Sequence, residues 1–124
     1  MNNQTLLHRI IKPAWWLQDG HVSSQAFRPG PSDNKQMSVY DGDQITAAEA
    51  WRQYTNDPGK PDPSRVLAIT HEECGRQHLP VHPDPGTFPE HVLVDFQEFG
   101  DRQIKKKSQK LRDAAEERGW QYRP

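Results

Sequence analysis

RVLAITHEECGR, which spans residues 65–76, is the stretch of sequence that best predicts the fold. Its first half is a short apolar run with β-branched residues, a composition that favours a buried strand. Thr70 and Glu73 then stand at the spacing of a capping box, in which each side chain accepts a hydrogen bond from the other residue's backbone amide. Gly75 predicts that the helix begun there is short. A strand that leads directly into a helix indicates that helices pack on a sheet.

The flanking sequence repeats this alternation of strand and helix. Thr46 and Glu49 form a second capping-box pattern, which predicts a helix over residues 47–54. Strands are predicted at residues 36–40 and 91–96, where the side chains alternate between two faces.

A longer helix is predicted over residues 101–118, and Gly119 follows it in the position that commonly ends a helix. Apolar side chains recur along this helix as a stripe, which consists of Ile104, Leu111, Ala114 and Ala115. We expect the helix to lie on the sheet through that stripe.

The N-terminal region gives two further predictions. Residues 6–11 place apolar side chains at the spacing of one helical face, but β-branched residues also suit a strand, so both alternatives stay open. Asp19-Gly20 is a dipeptide that suits a two-residue hairpin turn, and it predicts a hairpin formed by residues 14–18 and 21–27.

Together these elements predict an α+β fold in a single domain over residues 1–124. The expected architecture is a small mixed sheet with an N-terminal hairpin, covered on one side by two or three helices. Irregular connections are expected at three Pro-rich stretches, at about residues 28–34, 56–64 and 79–90. We expect the last of these to run as an extended, polyproline-like connector.

The composition limits the classes of function. The 16 basic and 17 acidic residues give a net charge of -1, which argues against a dedicated nucleic-acid binder. The apolar runs are far shorter than the roughly 20 residues of a membrane span, so no membrane partner is expected. With one cysteine and no pattern of a secretory signal, the chain is expected to be cytoplasmic. No glycine-rich phosphate loop is present, and no cofactor is predicted.

Possible metal ligands cluster at His71, Cys74 and His78. Imidazole and thiolate are ligands that zinc favours. However, residues 71 and 78 would lie about 10 Å apart along a helix, which is too far for both to bind one ion. We therefore expect no metal, and we expect Cys74 to pack in the interior.

The candidate catalytic residues are His21, Ser23 and His91. His21-Val22-Ser23 has the His-x-Ser form that some phosphoesterases use in pairs, but the segment at His91 lacks the matching hydroxyl. A small hydrolase or transferase that uses His21 and His91 is therefore one hypothesis for the function.

The C-terminal helix carries its basic residues first and its acidic residues last, an order that opposes the helix macrodipole. A phosphate group or an acidic partner would be attracted to its basic start. The candidate binding residues of this surface are Arg102, Lys105, Lys106 and Lys110. Helical geometry turns Lys106 and Lys110 outward when the apolar stripe faces the core.

Trp15 and Trp16 are adjacent in the predicted hairpin and are the other candidate binding residues. Neighbouring side chains of a strand point to opposite faces, so only one of the two can join a one-sided core. The second tryptophan is expected to contact another layer, a partner or a ligand.

Residues 19–29 (DGHVSSQAFRP), 37–40 (MSVY) and 89–94 (PEHVLV) resemble a pattern in small uncharacterised bacterial and phage proteins of no known activity. The resemblance implies a bacterial or phage setting and assigns no functional residue.

The function expected from the sequence is a non-catalytic accessory or interaction module that works with another protein or associates with itself, because the apolar fraction of 32% leaves a small core. The alternatives are a protein that contacts phosphate or nucleic acid through the C-terminal helix, and the small hydrolase or transferase named above.

Overall fold

The computed structural model describes residues 1–17, 19–56 and 62–124. It is an α+β protein with a five-stranded antiparallel sheet and three α-helices, which confirms the predicted fold class. The first predicted hairpin strand includes residue 18 and the second Pro-rich stretch includes residues 57–61, so these two predictions fall partly outside the described residues. No helix in the described part of the chain is long and apolar enough to cross a membrane.

The strands are β1 (Leu6–Ile11), β2 (Gln36–Asp41), β3 (Arg65–Thr70), β4 (Val81–Pro83) and β5 (His91–Asp95). The helices are α1 (Ala47–Tyr54), α2 (His71–Arg76) and α3 (Asp101–Arg118). Two short 3-10 turns, Pro13–Trp15 and Ser24–Phe27, lie between β1 and β2. The strand order is β3-β1-β2-β5-β4. Each neighbouring pair is antiparallel, so the sheet is not the mixed one that we expected.

Residues 6–11 form a strand, and the helical alternative is wrong. β1 pairs with β3 along its whole length, from Leu6 opposite Thr70 to Ile11 opposite Arg65. Leu7 and Ile11 belong to the main core, while Ile10 is buried on the opposite face. A strand buried on both faces has apolar residues at neighbouring positions, and this produced the apparent helical spacing.

The turn at Asp19-Gly20 forms, but the predicted hairpin is reduced to one bridge between Trp16 and Val22. Gly20 has a φ of +87°, the left-handed region that favours glycine in such turns. The segments on both sides curl into the 3-10 turns instead of extending as strands. Ser23 caps the second turn by accepting a hydrogen bond from the Gln25 amide at 3.2 Å.

Both capping boxes form as predicted. The Glu49 amide donates to Thr46 Oγ1 at 3.1 Å, and the Thr46 amide donates to Glu49 Oε1 at 3.1 Å. In α2 the corresponding distances between Thr70 and Glu73 are 3.1 and 2.8 Å. The caps fix where α1 and α2 begin, since they satisfy amides that have no partner inside the helix.

The main core lies between the sheet and α3. The residues that α3 buries are Ile104, Ser108, Leu111 and Ala115. Three members of the predicted stripe therefore face the core, while the fourth, Ala114, is half-buried. Leu67 and Ile69 of β3 belong to this core, whereas Ala68 between them is equally buried on the other face. α1 packs against β1 and β3 on that other face, so helices cover two sides of the sheet and not one. Beyond α1, residues of β2 and β5 on this second face line a cleft.

Candidate functional site

A cleft of about 860 Å³ lies where α1 leaves the second face of the sheet uncovered. Strand residues that line it include Ile10, Ser38, Tyr40 and His91. The volume falls within the range of roughly 300–1,000 Å³ that is usual for small-molecule sites. We therefore treat this cleft as the candidate functional site.

A chain of hydrogen bonds runs from Asp84, which lies outside the residues that line the cleft, through His91 to Ser38, which both line it. Asp84 Oδ2 lies 2.9 Å from His91 Nδ1, and His91 Nε2 lies 3.0 Å from Ser38 Oγ. Thr87 Oγ1 donates to the same Asp84 oxygen at 2.7 Å. The hydrogen bonds from Thr87 and His91 lower the pKa of Asp84, so this carboxylate is ionised near neutral pH. Because an ionised carboxylate only accepts, Nδ1 donates to Asp84, and in the neutral imidazole Nε2 is left to accept from the Ser38 hydroxyl.

The register of the sheet brings these side chains together. Tyr40 lies opposite His91, and Ser38 lies opposite Leu93, so Ser38 and His91 are diagonal neighbours on one face. Asp84 is placed by the turn after β4, in which its amide donates to the His91 carbonyl at 2.8 Å. The residues before this turn were expected to be an extended connector, but residues 81–83 pair with β5 as a short edge strand. An edge position accommodates Pro83, since proline has no amide to donate.

Arg9, Lys12 and Arg28 bring positive charge to the cleft, against the single carboxylate of Asp33 among the residues that line it. Arg9 donates from Nε to the Ala26 carbonyl at 2.8 Å and from Nη1 to the Ser38 carbonyl at 2.9 Å. Burial lowers the pKa of Arg9 to about 10, so its guanidinium stays charged near neutral pH.

Neither Arg9 nor Arg28 forms an ion pair with a carboxylate of the described residues. Arg28 donates from Nη2 to Ser24 Oγ at 3.0 Å, while its Nε is buried with no hydrogen-bond partner in the described part of the chain. An incompletely bonded guanidinium at the wall of a cleft is suited to receive an anionic ligand.

Aromatic rings line the rest of the cleft. The ring of Phe88 packs against the rings of Tyr40 and His91, with centroid distances of 5.3 and 4.7 Å. Tyr54, at the end of α1, is among the exposed large apolar side chains. Arg9 and Lys12 lie over the ring of Trp15 at 5.3 and 5.5 Å, so this tryptophan helps to hold two of the cations in place.

The structure places only some of the predicted site residues in this cleft. His91 and Trp15 line it, and His21 and Ser23 do not. His21 lies in a shallow depression beside α3, with Nδ1 2.8 Å from Glu116 Oε2. Trp16 packs against the main core under the guanidinium of Arg65, at 4.4 Å from its ring centroid.

The basic candidates on α3 lie outside the cleft, and all are exposed: Arg102, Lys105, Lys106 and Lys110. The outward orientation predicted for Lys106 and Lys110 is confirmed. Two neighbouring basic residues make contacts within the protein: Lys107 lies over the Phe99 ring, and Arg112 pairs with Asp113.

The possible metal ligands separate in the fold. Cys74 lies in the main core, and burial raises the pKa of its thiol to about 12, so the thiol is neutral. His71 is half-buried and His78 is exposed. Over the residues that the structure describes, no three side chains suited to a metal converge at one point.

Ser38, Asp84 and Arg9 are the site residues that the sequence did not reveal. Ser38 and Arg9 are polar residues inside strands, and their role depends on which strands become neighbours. The Asp-Pro-Gly-Thr sequence at 84–87 was a turn signal that pointed to Asp84, although not to its partner.

Comparison with known proteins found no matching protein-family model, no matching curated protein and no matching solved structure.

Proposed function

We propose that the protein binds, in this cleft, a small ligand that joins a negatively charged group to a planar ring. The observation that carries the proposal is that two guanidinium groups beside an aromatic wall, those of Arg9 and Arg28, form no ion pair with a carboxylate of the described residues.

The charge of the cleft supports an anionic ligand. A guanidinium withdrawn from water is usually paired with a carboxylate, because removing a charge from water without a partner is unfavourable. Arg9 uses two of its donors on backbone carbonyls, which fixes its position without neutralising its charge. Within the part of the chain that the structure describes, the buried Nε of Arg28 has no hydrogen-bond partner. A phosphate or carboxylate group on a ligand would supply both the negative charge and the acceptors.

The aromatic residues support a ring on the same ligand. Tyr40, Phe88 and Tyr54 line the cleft together with the two arginines. Stacking of a planar ring on an aromatic side chain contributes about 1–3 kcal/mol in complexes with nucleic-acid bases. A mononucleotide combines both features, and adenosine 5′-monophosphate is therefore a suitable probe.

The test is isothermal titration of the full chain with three probes: adenosine 5′-monophosphate, adenosine and inorganic phosphate. We expect the nucleotide to bind at least tenfold more tightly than either fragment, and we expect its affinity to fall as salt is raised. Equal binding of the nucleotide and adenosine would contradict the proposal, because the arginines would then contribute nothing.

Arg28→Gln is the informative variant, since among the described residues the Arg28 side chain bonds only to Ser24 Oγ and its Nε has no partner. We expect the nucleotide affinity to fall about tenfold or more, because the variant loses one charge-assisted hydrogen bond to the ligand. Arg102→Gln removes the same charge from an exposed position on α3 and is the matched control. An equal effect of the two substitutions would indicate a general effect of net charge and would contradict the assignment.

The function first expected from the sequence, an interaction module with a protein partner, stays a prediction. The exposed large apolar side chains among the described residues are Met1, Leu17 and Tyr54, and Tyr54 is already part of the cleft wall. Contact of the C-terminal helix with nucleic acid, a cytoplasmic location and a bacterial or phage origin likewise stay predictions. Measuring the mass in solution against concentration tests self-association directly.

A further inference from the structure

Ser38 is exposed to solvent, and its hydroxyl is bonded to a histidine. Ser38 is exposed in the cleft, whereas His91 is only 7% exposed, so the imidazole lies behind the hydroxyl. The ionised Asp84 fixes the imidazole tautomer that leaves Nε2 free to accept the serine proton. This is the order of groups that activates a serine: an accessible hydroxyl, a base within hydrogen-bond distance and an acid that orients the base.

Two features of the surroundings of Ser38 favour nucleophilic chemistry: a backbone held by the sheet and a neighbouring positive charge. β2 pairs with β5 on both sides of Ser38, so its backbone is held by the sheet. Arg9 Nη1 donates to the backbone carbonyl of Ser38 at 2.9 Å, so a positive charge lies beside the backbone of this serine. A Ser–His contact that served only to stabilise the sheet would need neither an accessible hydroxyl nor a cleft.

We propose that this cleft is an esterase site in which Ser38 is the nucleophile and His91 is the general base. Asp84 is a positioning residue that acts through His91. The inference rests on the proposed function, because it takes the bound ligand to be a carboxylic ester that carries an anionic group.

The reaction has two balanced steps. Ser38 Oγ forms a bond to the ester carbonyl carbon while its proton passes to His91 Nε2. The tetrahedral oxyanion then collapses, the bond to the alkoxy oxygen breaks, and the departing alcohol takes the proton from His91. In the second step, water gives a proton to His91 and attacks the acyl-serine. The bond to Ser38 Oγ breaks, Ser38 regains the proton, and the carboxylic acid is released.

The test is covalent labelling by a fluorophosphonate, which reacts with activated serines and releases fluoride. Intact-protein mass should rise by one adduct, and peptide mapping should place the adduct on Ser38. Ser38→Ala should abolish labelling, whereas Ser32→Ala, at an exposed serine outside the residues that line the cleft, should leave it unchanged.

Two further variants separate activation from folding. His91→Gln and Asp84→Asn should each slow the labelling rate about 100-fold or more, because the first removes the base and the second removes the group that fixes its tautomer. Asp84 is partly exposed, with 38% of its side chain accessible, so Asp84→Asn should keep the fold even where the buried His91 substitution does not.

The outcomes distinguish this inference from the proposed function. No adduct on Ser38, or an adduct that forms equally fast in Asp84→Asn, overturns the esterase site. If nucleotide binding in the same samples still depends on Arg28, the proposed ligand-binding function stands although the esterase site does not. If Ser38 is labelled in a way that depends on His91 but the nucleotide does not bind, the result supports the esterase site. The same result contradicts the proposed class of ligand, one that joins an anionic group to a planar ring.

Discussion

Arg118, in the last turn of α3, binds the Glu73 carboxylate of α2 through two N–H groups, at 3.1 Å to Oε1 and 2.8 Å to Oε2. Its Nη1 also donates to the carbonyl of Ala68 at 2.8 Å. Glu73 in turn accepts the Thr70 amide as part of the capping box. One ion pair therefore connects α3, α2 and the end of β3.

We expect this pair to make stability depend on pH in the acid range. Burial alone would raise the pKa of Glu73, but hydrogen bonds from Arg118 and Thr70 outweigh it and hold the pKa below its ordinary value of 4.5. The stabilisation is complete above the pKa of the unfolded chain and is lost as pH falls through the lower, folded value. Glu73→Gln should lower the free energy of unfolding by about 1–2 kcal/mol at pH 7.

Denaturant unfolding at several pH values measures this effect. The difference between Glu73→Gln and the unsubstituted chain should shrink as the pH falls below the ordinary value of 4.5 and the carboxylate is protonated. Glu117→Gln, at an exposed position on the same helix as Arg118, is the control and should change stability by less than about 0.5 kcal/mol. A Glu73→Gln deficit that does not vary with pH would contradict the role given to the charge.

Cys74 should be unreactive in the folded protein. Its side chain is fully buried, and burial raises its pKa to about 12, so almost no thiolate exists at pH 8. Because the chain has one cysteine, labelling by iodoacetamide reports on this site alone. We expect stoichiometric labelling in guanidinium chloride and negligible labelling without denaturant. Labelling of the folded chain at the rate of a free thiol would contradict this account.

The parts of the fold that the sequence predicted correctly are those encoded by local chemistry. Thr46 with Glu49, and Thr70 with Glu73, placed the starts of two helices, because a capping box involves residues only three positions apart. Residues 6–11 were ambiguous because a strand that is buried on both faces lacks the alternation by which strands are recognised. Residues 6–11 are buried on both faces because α1 packs on one side of the sheet and α3 on the other. This arrangement belongs to the tertiary fold and is not encoded in the local sequence.

The candidate site was harder to predict, since its members are far apart in sequence. His91 was singled out as a histidine in a strand, but its partners Ser38 and Asp84 are 53 and 7 residues away. Their contact follows from the register between β2 and β5 and from the turn after β4. A single sequence carries little information on strand register, so these partners could not be identified from spacing.

His21 should titrate above the ordinary histidine value. Its hydrogen bond to Glu116, followed by the charges of Glu116 and Asp19, raises the pKa of the imidazole. The small stabilisation from this pair is present below the unfolded pKa and is lost as pH rises through the folded value. NMR titration of the imidazole should give a pKa above 6.5 that returns toward it in Glu116→Gln. Glu117→Gln should leave it raised, and a normal pKa in the unsubstituted chain would contradict the contact.

Gly42 should be intolerant of any side chain, because its backbone lies directly against β1. Its amide donates to the Leu6 carbonyl at 2.7 Å, and a Cβ built on Gly42 would overlap that carbonyl oxygen and approach His8 Nε2 to 3.1 Å. Both neighbours are held in place, since Leu6 pairs with β3 and His8 is buried. Gly42→Ala should therefore lower the free energy of unfolding by about 1–3 kcal/mol, the usual effect of overpacking.

Gly75→Ala is the matched control for Gly42→Ala. A Cβ at Gly75 meets no atom within 4 Å, and the residue lies inside α2 with ordinary helical backbone. Alanine should stabilise α2 by about 0.5–1 kcal/mol, because glycine has more conformational entropy to lose on folding. The two glycine substitutions should thus shift the denaturant midpoint in opposite directions. A shift of Gly42→Ala in the same direction as Gly75→Ala would show that the turn after β2 can move away from β1.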